Sequence, residues 1–454
     1  MVLPFPGAPG GPPGAPPAPA PPNNPLGVFQ FLPPNLLQAD YGTPVQNSTA
    51  AKPSRKKPDI ASIITKITDA VDWWKLRDSR MDDDYSRWKL TPPTTGAGVA
   101  VVQNTPRVVV DKLANMLGAQ VPTIQSDPPS PNLAHLAQKK EDLLRYAWDE
   151  WDRAWSNGLG AASIRHAEAY GLGLRGWLTY RVTLKDTNDS DEFPIDLTLF
   201  DARNVYPRYG HGKLRYVVQQ YKSTVGEVLD EWGKDAEKYF ADRPEGDQVT
   251  VSAYYDDWFH AVLVDDQPVK APEAHEYGFV PWVIRIGGGA PIRASGDSGG
   301  NSWIADVGPS FFDAIKDIGT QTDKILSAVA TAVDKASDPP AIYSYDPSSG
   351  TPQKLDLSAG AQNYILLNEK IQVLNTAPSL PDTNLLLNVM TKNITQGTLP
   401  EVLWGGGPDS QSGFAVALLS GAARDATFGV IRAMESAEAE VNRLALMLLR
   451  DHYT

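Results

Sequence analysis

Cysteine is absent from all 454 residues. Disulfide stapling, thiolate metal ligands and a cysteine nucleophile are therefore excluded together. Histidine is scarce, six residues in all, and no two stand as His-x-x-x-His, so the helical motif of zinc hydrolases is missing. No apolar run approaches the roughly 20 residues that a membrane-spanning helix needs. The opening Met1-Val2-Leu3-Pro4-Phe5-Pro6 lacks the basic stretch and unbroken apolar segment of a secretory leader. Positive charge is not in excess either: the formal net charge is −13. Broad grips on nucleic acid rely on Lys and Arg against phosphate. This chain as a whole would repel a polyanion, so any contact with DNA is expected to be local, or of a kind that lets DNA pass. The expectation is a soluble, intracellular assembly component without a membrane partner.

What is present suits a folded body. With 42% hydrophobic and 21% charged residues, and length for about three domains, a substantial core is expected. Residues 1–58 stand apart as a tail in which about a third of the 39 prolines fall before Asn35, mixed with Gly and Ala. Such a segment is expected to be extended, either as a solvated linker or as a docking arm. It ends in Lys52, Arg55, Lys56 and Lys57.

Periodicity then takes over. Ile60, Ile63, Ile64, Ile67, Val71 and Trp74 share one helical face. Pro106 opens a second helix that stops at Gly118, and a third runs from about Leu133 to Ser156 with Leu144, Trp148, Trp151 and Trp155 as a core stripe. From Trp177 the period changes to two, predicting strands at 177–184, 195–200, 214–221, 249–255 and 258–264, with a short helix at 224–232. The fold class is α+β and predominantly helical, with antiparallel pairing. Helices return at about 309–337, 382–396 and from Ser412 almost to the end. Short strands are expected between the first two, at 341–345, 364–367 and 371–375. The last helix would reach about 60 Å, with Gly421 and Gly429 as places to bend.

Three motifs suggest chemistry, and none has the context it needs. Gly296-Asp297-Ser298-Gly299-Gly300 matches the string around a serine-protease nucleophile, but His135, His166, His211, His260 and His275 lack the matching surroundings, and helices follow where a barrel should continue. Gly171-Leu172-Gly173-Leu174-Arg175-Gly176 has dinucleotide-fingerprint spacing, yet the order here is helix, glycines, strand, which reads as a helix end and tight turn. Asp82-Asp83-Asp84 beside Arg80 and Arg87 reads as a solvated charge run rather than a metal site. No catalytic, cofactor-binding or metal-ligating residue is expected, and no enzyme.

Architecture is more informative. Two charged helices around a small β insert, then a Gly-rich loop and a still longer helix, suit copies packed side by side in a ring, with Leu385, Leu386, Leu387, Val389, Met390 and Ile394 filling gaps between them. On this reading the C-terminal third cannot bury itself alone.

Several short segments carry a resemblance to one family. These are the helix Arg107-Val108-Val109-Val110-Asp111-Lys112-Leu113 before Gly118 and Pro122, then Asn204-Val205-Tyr206-Pro207, then Tyr277-Gly278-Phe279-Val280-Pro281. The strongest is Asn393-Ile394-Thr395-Gln396-Gly397 with Ser412-Gly413-Phe414-Ala415-Val416-Ala417-Leu418-Leu419. In this order they resemble the portal proteins of tailed bacteriophages, the head-to-tail connector family. The resemblance implies a ring, usually a dodecamer, at one capsid vertex of the virion, assembled in the host cytoplasm. Double-stranded DNA would enter its channel driven by the terminase large subunit and later leave towards the tail. The major capsid protein and a head-completion or tail adaptor protein are the other implied partners.

It further implies a wing at 59–303, a stem helix at 304–337, a clip at 338–380, a second stem helix at 381–398, a tunnel loop at 399–412 and a long wing or crown helix at 413–454. The crown would be short or truncated. Gly405, Gly406, Gly407, Pro408, Asp409, Ser410 and Gln411 would face DNA in the tunnel loop. Lys316, Lys324, Lys335 and Lys392 are candidate channel-lining charges, each of which could instead pair with a neighbouring acid. The alternative is another structural component of a phage particle, an adaptor or scaffold-linked capsid protein, without a DNA channel.

Overall fold

The computed structural model describes residues 56–92, 99–120, 122–128, 130–159, 163–185, 193–210, 213–275, 277–288, 304, 306–337, 341–345, 362–366, 387–390, 392, 394 and 413–453. The tail to residue 55, Gly296–Gly300, the strand expected at 371–375 and the loop at 399–412 lie outside them.

The first helix, α1 (Ile60–Trp88), starts where Asp59 accepts the Ser62 N–H at 2.7 Å, an N-cap that satisfies one of the four free amides of a helix start. Then come α2 (Thr105–Gly118), opened by its proline, α3 (Ala134–Leu159) and α4 (Ile164–Arg175), the last capped by Ser163. Gly171 and Gly173 sit inside α4 rather than in a turn. Gly176 alone makes the C-terminal cap, at φ +71°, and turns the chain into β1 (Trp177–Leu184).

Two antiparallel sheets follow. β1 lies between β2 (Ile195–Phe200) and β8 (Trp282–Ile286) in a three-stranded sheet. The other has the order β3-β4-β5-β6-β7, made from Val205–Gly210, Lys213–Thr224, Gln248–Asp256, Phe259–Val264 and Gln267–Ala274. Between β4 and β5 stand α5 (Val225–Trp232), opened by a reciprocal Thr224–Glu227 capping box, and α6 (Lys234–Phe240). Three strands, β3, β7 and β8, and the helix α6 are additional to those expected from periodicity.

A 3-10 turn at Asp313–Ile315 leads into α7 (Lys316–Ser337). β9 (Ala341–Tyr345) and β10 (Gln362–Leu366) pair in parallel. Residues 387–390, 392 and 394 are helical, and α8 (Gly413–Tyr453) runs 41 residues, unbroken through Gly421 and Gly429. Gly429 serves close approach: a Cβ there would stand 3.0 Å from the Gly288 backbone.

The largest core gathers α2, α3, α4, β1, β2 and the second half of α8, with Leu113, Trp151, Leu172, Tyr180, Ile195, Met434, Val441 and Leu448 all buried. Here an expectation is corrected. From Val430 onward α8 is finished by its own chain and needs no neighbouring copy to cover it. The expected stripe on α3 does face this core, with Leu144 and Trp151 buried and Trp148 and Trp155 packed against it. A second core sets Ile63, Ile67 and Trp74 of α1 on the five-stranded sheet. Trp74 also donates to the Pro207 carbonyl at 2.7 Å and meets Trp177 edge-on.

Candidate functional site

The described residues that position the start of α7 lie at its root. One face of α1 carries Arg80, Asp84 and Arg87, at the spacing of four and three that aligns side chains on a helix. Each takes hold of the chain around α7. Arg80 donates to the Val307 carbonyl at 3.1 Å and the Gly308 carbonyl at 2.6 Å. Arg87 donates to Thr320 Oγ1 at 2.6 Å while its Nε bonds Asp83 at 2.9 Å. Asp84, fully buried, pairs with the Lys316 ammonium, which also reaches Asp313 at 2.8 Å, and Arg80 Nε stands 3.8 Å from its other oxygen. The Asp84 oxygens accept no well-aligned hydrogen bond, so charge is what holds them. Burial pushes the Asp84 carboxyl up from its ordinary range, and Lys316 works against that push. Burial likewise lowers the Arg80 guanidinium, with Asp84 opposing.

The triple aspartate is a solvated run only in part: Asp82 and Asp83 are exposed, while Asp84 is buried. Successive helix positions point about 100° apart, and the three carboxylates serve different partners. Asp82 takes a two-pronged bond from Arg203 at 2.9 and 3.0 Å, Asp83 takes Arg87, and Asp84 takes Lys316. Arg203 also bonds Asp78 at 3.0 Å, and Asp78 holds Arg77, a wholly buried guanidinium set over the rings of Trp74, Trp177 and Tyr206.

Further along α7, residues 99–103 run beside the helix as an extended brace. The amides of Gln103, Val101 and Val99 donate to Asp323 Oδ1 at 2.9 Å, Ser327 Oγ at 2.9 Å and Thr331 Oγ1 at 3.0 Å. Four helical residues rise about 6.0 Å and two extended residues about 6.6 Å, so alternate amides of one meet every fourth side chain of the other. Ser327→Ala removes a hydroxyl that accepts from the Val101 amide and donates to its carbonyl at 3.3 Å, and is expected to cost about 1 kcal/mol. Urea unfolding midpoints of variant and parent check it.

Of the candidate channel charges, Lys316 is half-buried and engaged by Asp84 and Asp313. Lys324 on α7 and Lys392 are exposed, and Lys335 falls in the last turns of α7. The tunnel-loop residues Gly405–Gln411 lie outside the described residues. Ile394, expected between copies, is instead buried beside Val110, Leu174, Phe312 and Ile315 of its own chain, and Met390 Sδ accepts from Thr322. Val389 stays exposed, as does Val333 on α7.

Ser298 and His211 lie outside the described residues. His166 lies 3.2 Å from Asn115, and His260 stacks on His275. Burial, aided by Lys270 and His275, pushes His260 down to about 4 and keeps it neutral at pH 7. Among the described residues no three His, Asp or Glu side chains are grouped to hold a metal ion, and no helix is long and apolar enough to cross a membrane. Sequence reading missed the clamp. Its spacing on α1 was visible, but nothing marked residues 307–320 as its target.

Taken together the site is mechanical. It fixes where a helix leaves the body and where the chain comes back. No family model matches this chain, and no curated protein matches it.

Proposed function

We propose that the chain is the subunit of a portal-type ring, the channel at one capsid vertex through which a terminase motor packages DNA and through which DNA later leaves. The observation that carries this reading is an excursion with a common start and finish. The chain departs at Phe312 and Ile315, runs along α7, makes the small β9–β10 pair, and is back at Ile394, which packs against the same two residues. In a portal such an excursion is the stem and the clip. The clamp of Arg80, Asp84 and Arg87 would hold its root against a motor's load, and the brace at 99–103 would stiffen it from Asp323 to Thr331.

The acidic balance fits a conduit, since a channel that bound phosphate tightly would stall its cargo. Lys324, exposed on α7, is a candidate cation to centre the duplex. Val333 on α7 and Val389 on the returning helical segment are exposed apolar side chains that neighbouring copies in a ring would cover.

Negative-stain images of the purified full chain test the proposal. Rings with a central hole are expected. A monomer at micromolar concentration, or an oligomer without an axial hole, overturns it, the second result being that of an adaptor or scaffold-linked capsid component.

A further inference from the structure

We propose that Glu168 and Glu438 share one proton inside the fold, and that this proton latches the second half of α8 to α4 and β1. The inference is independent of the ring reading, because it concerns contacts within one chain. Glu168, on α4, is wholly buried in the largest core. Its Oε1 accepts the Tyr180 hydroxyl from β1, and its Oε2 has no donor among the described residues. Beside it is Glu438 of α8, which is held by Arg165 Nε at 2.9 Å, while Arg165 Nη1 donates to the Gln120 carbonyl at 2.8 Å. Of these two neighbouring carboxyl groups only Glu438 is bonded to a guanidinium.

Like charges at such a site do not both ionise. Glu438 has the cation, so Glu168 keeps the proton on Oε2 and donates it to the Glu438 carboxylate, which gives Oε2 its partner. A buried polar oxygen without a partner would otherwise cost as much as a lost hydrogen bond or more.

Of the other ionisable groups on the packed elements, the Glu435 charge adds to the upward push on Glu438. Tyr180 stays neutral, its phenol pushed well up by burial and by Glu168. On α8, Glu435 lies 3.6 Å from Arg432. Arg285 of β8 reaches α8 but bonds Ser436 at 2.7 Å and stands 3.9 Å from Glu440. His166 turns away to Asn115 of α2. Burial raises the Glu168 carboxyl well above its ordinary range and the Glu438 charge adds to the effect. Glu438 is also raised by burial, with Arg165 opposing.

The sign follows from where the proton is held more tightly. A carboxyl whose affinity for protons is higher folded than unfolded stabilises the fold fully below its unfolded value of about 4.3. That contribution is lost as pH rises through the folded value. Above it, a second negative charge sits between α4 and α8 and pushes them apart.

The test uses the full chain and Glu168→Gln, whose amide N–H replaces the proton and whose carbonyl still accepts from Tyr180. Chemical unfolding is followed from pH 5 to 9. The parent's unfolding constant is expected to climb relative to E168Q by up to tenfold per pH unit. Parallel profiles overturn the latch. Should E168Q fail to fold, infrared spectra of the parent decide. A protonated-carboxyl band at neutral pH that disappears as α8 detaches in alkali supports the latch, and absence of the band at neutral pH overturns it.

Discussion

Asp84→Ala should lower the stability of the folded chain by about 3–5 kcal/mol, the range found when one partner of a buried ion pair is removed. The substitution leaves the Lys316 ammonium and the Arg80 guanidinium together in a largely dry site, with Asp313 beside Lys316 and the charge of Asp306 acting on Arg80. Two further variants separate charge from packing. Asp84→Asn keeps the volume and loses the charge, so it should be nearly as damaging. Asp84→Ala with Lys316→Met removes both charges and should recover a large part of the loss, since apolar replacements of buried pairs are often neutral or better. Urea denaturation of the four proteins checks this. An Asp84→Ala loss below about 1 kcal/mol would show the pair to be screened, as surface pairs are.

Trp177→Ala should be of the same size, about 3–5 kcal/mol, from lost burial and the cavity left behind. Trp177 is buried, its Nε1–H satisfies the Val307 carbonyl at 2.9 Å, and it lies between Trp74 and Arg77. It is also the reason for a glycine. Gly308 sits at φ +63°, and a Cβ there would stand 2.4 Å from Trp177 Nε1. Gly308→Ala is therefore expected to destabilise on its own, through both its backbone conformation and the indole. In the Trp177→Ala background the clash with the indole is relieved, and the two losses should sum to less than their separate values by more than about 0.5 kcal/mol. Thermal unfolding of the double-mutant cycle measures this, and strict additivity would show that the indole is not what crowds residue 308.

How much of this was legible in the sequence depends on how local the cause is. The buried face of α1 was readable because Ile63, Ile67 and Trp74 repeat at helical spacing, and β1, β2, β4, β5 and β6 because their alternation is long enough to register. The missed strands have a shared physical reason. β3 contains Pro207, β7 contains Pro268 and Pro272, and β8 follows Pro281 directly. A proline in an alternating run argues against a central strand, but all three of these are edge strands, where a missing N–H costs no ladder bond.

The site was less legible for the opposite reason. Asp84 and Lys316 are 232 positions apart, and no local pattern says that they meet. The same holds for Glu168 and Glu438, each an ordinary helical glutamate until the fold brings them together. The glycines of α4 were misplaced because their spacing suggested a turn. Gly173 lies within the helix instead, where a Cβ would come within 3.0 Å of Leu113 on α2.

The brace along α7 works like a vernier scale. Its two rulers differ by about 0.6 Å per division, so an offset of about 1.2 Å has built up between the first matched graduation at Gln103 and the third at Val99. A hydrogen bond tolerates only a few tenths of an ångström in length before it weakens, and small tilts of the strand must absorb the rest. The three bonds keep lengths of 2.9, 2.9 and 3.0 Å, so residues 99–103 take up that mismatch without losing a rung, and α7 is splinted over about two turns from Asp323 to Thr331.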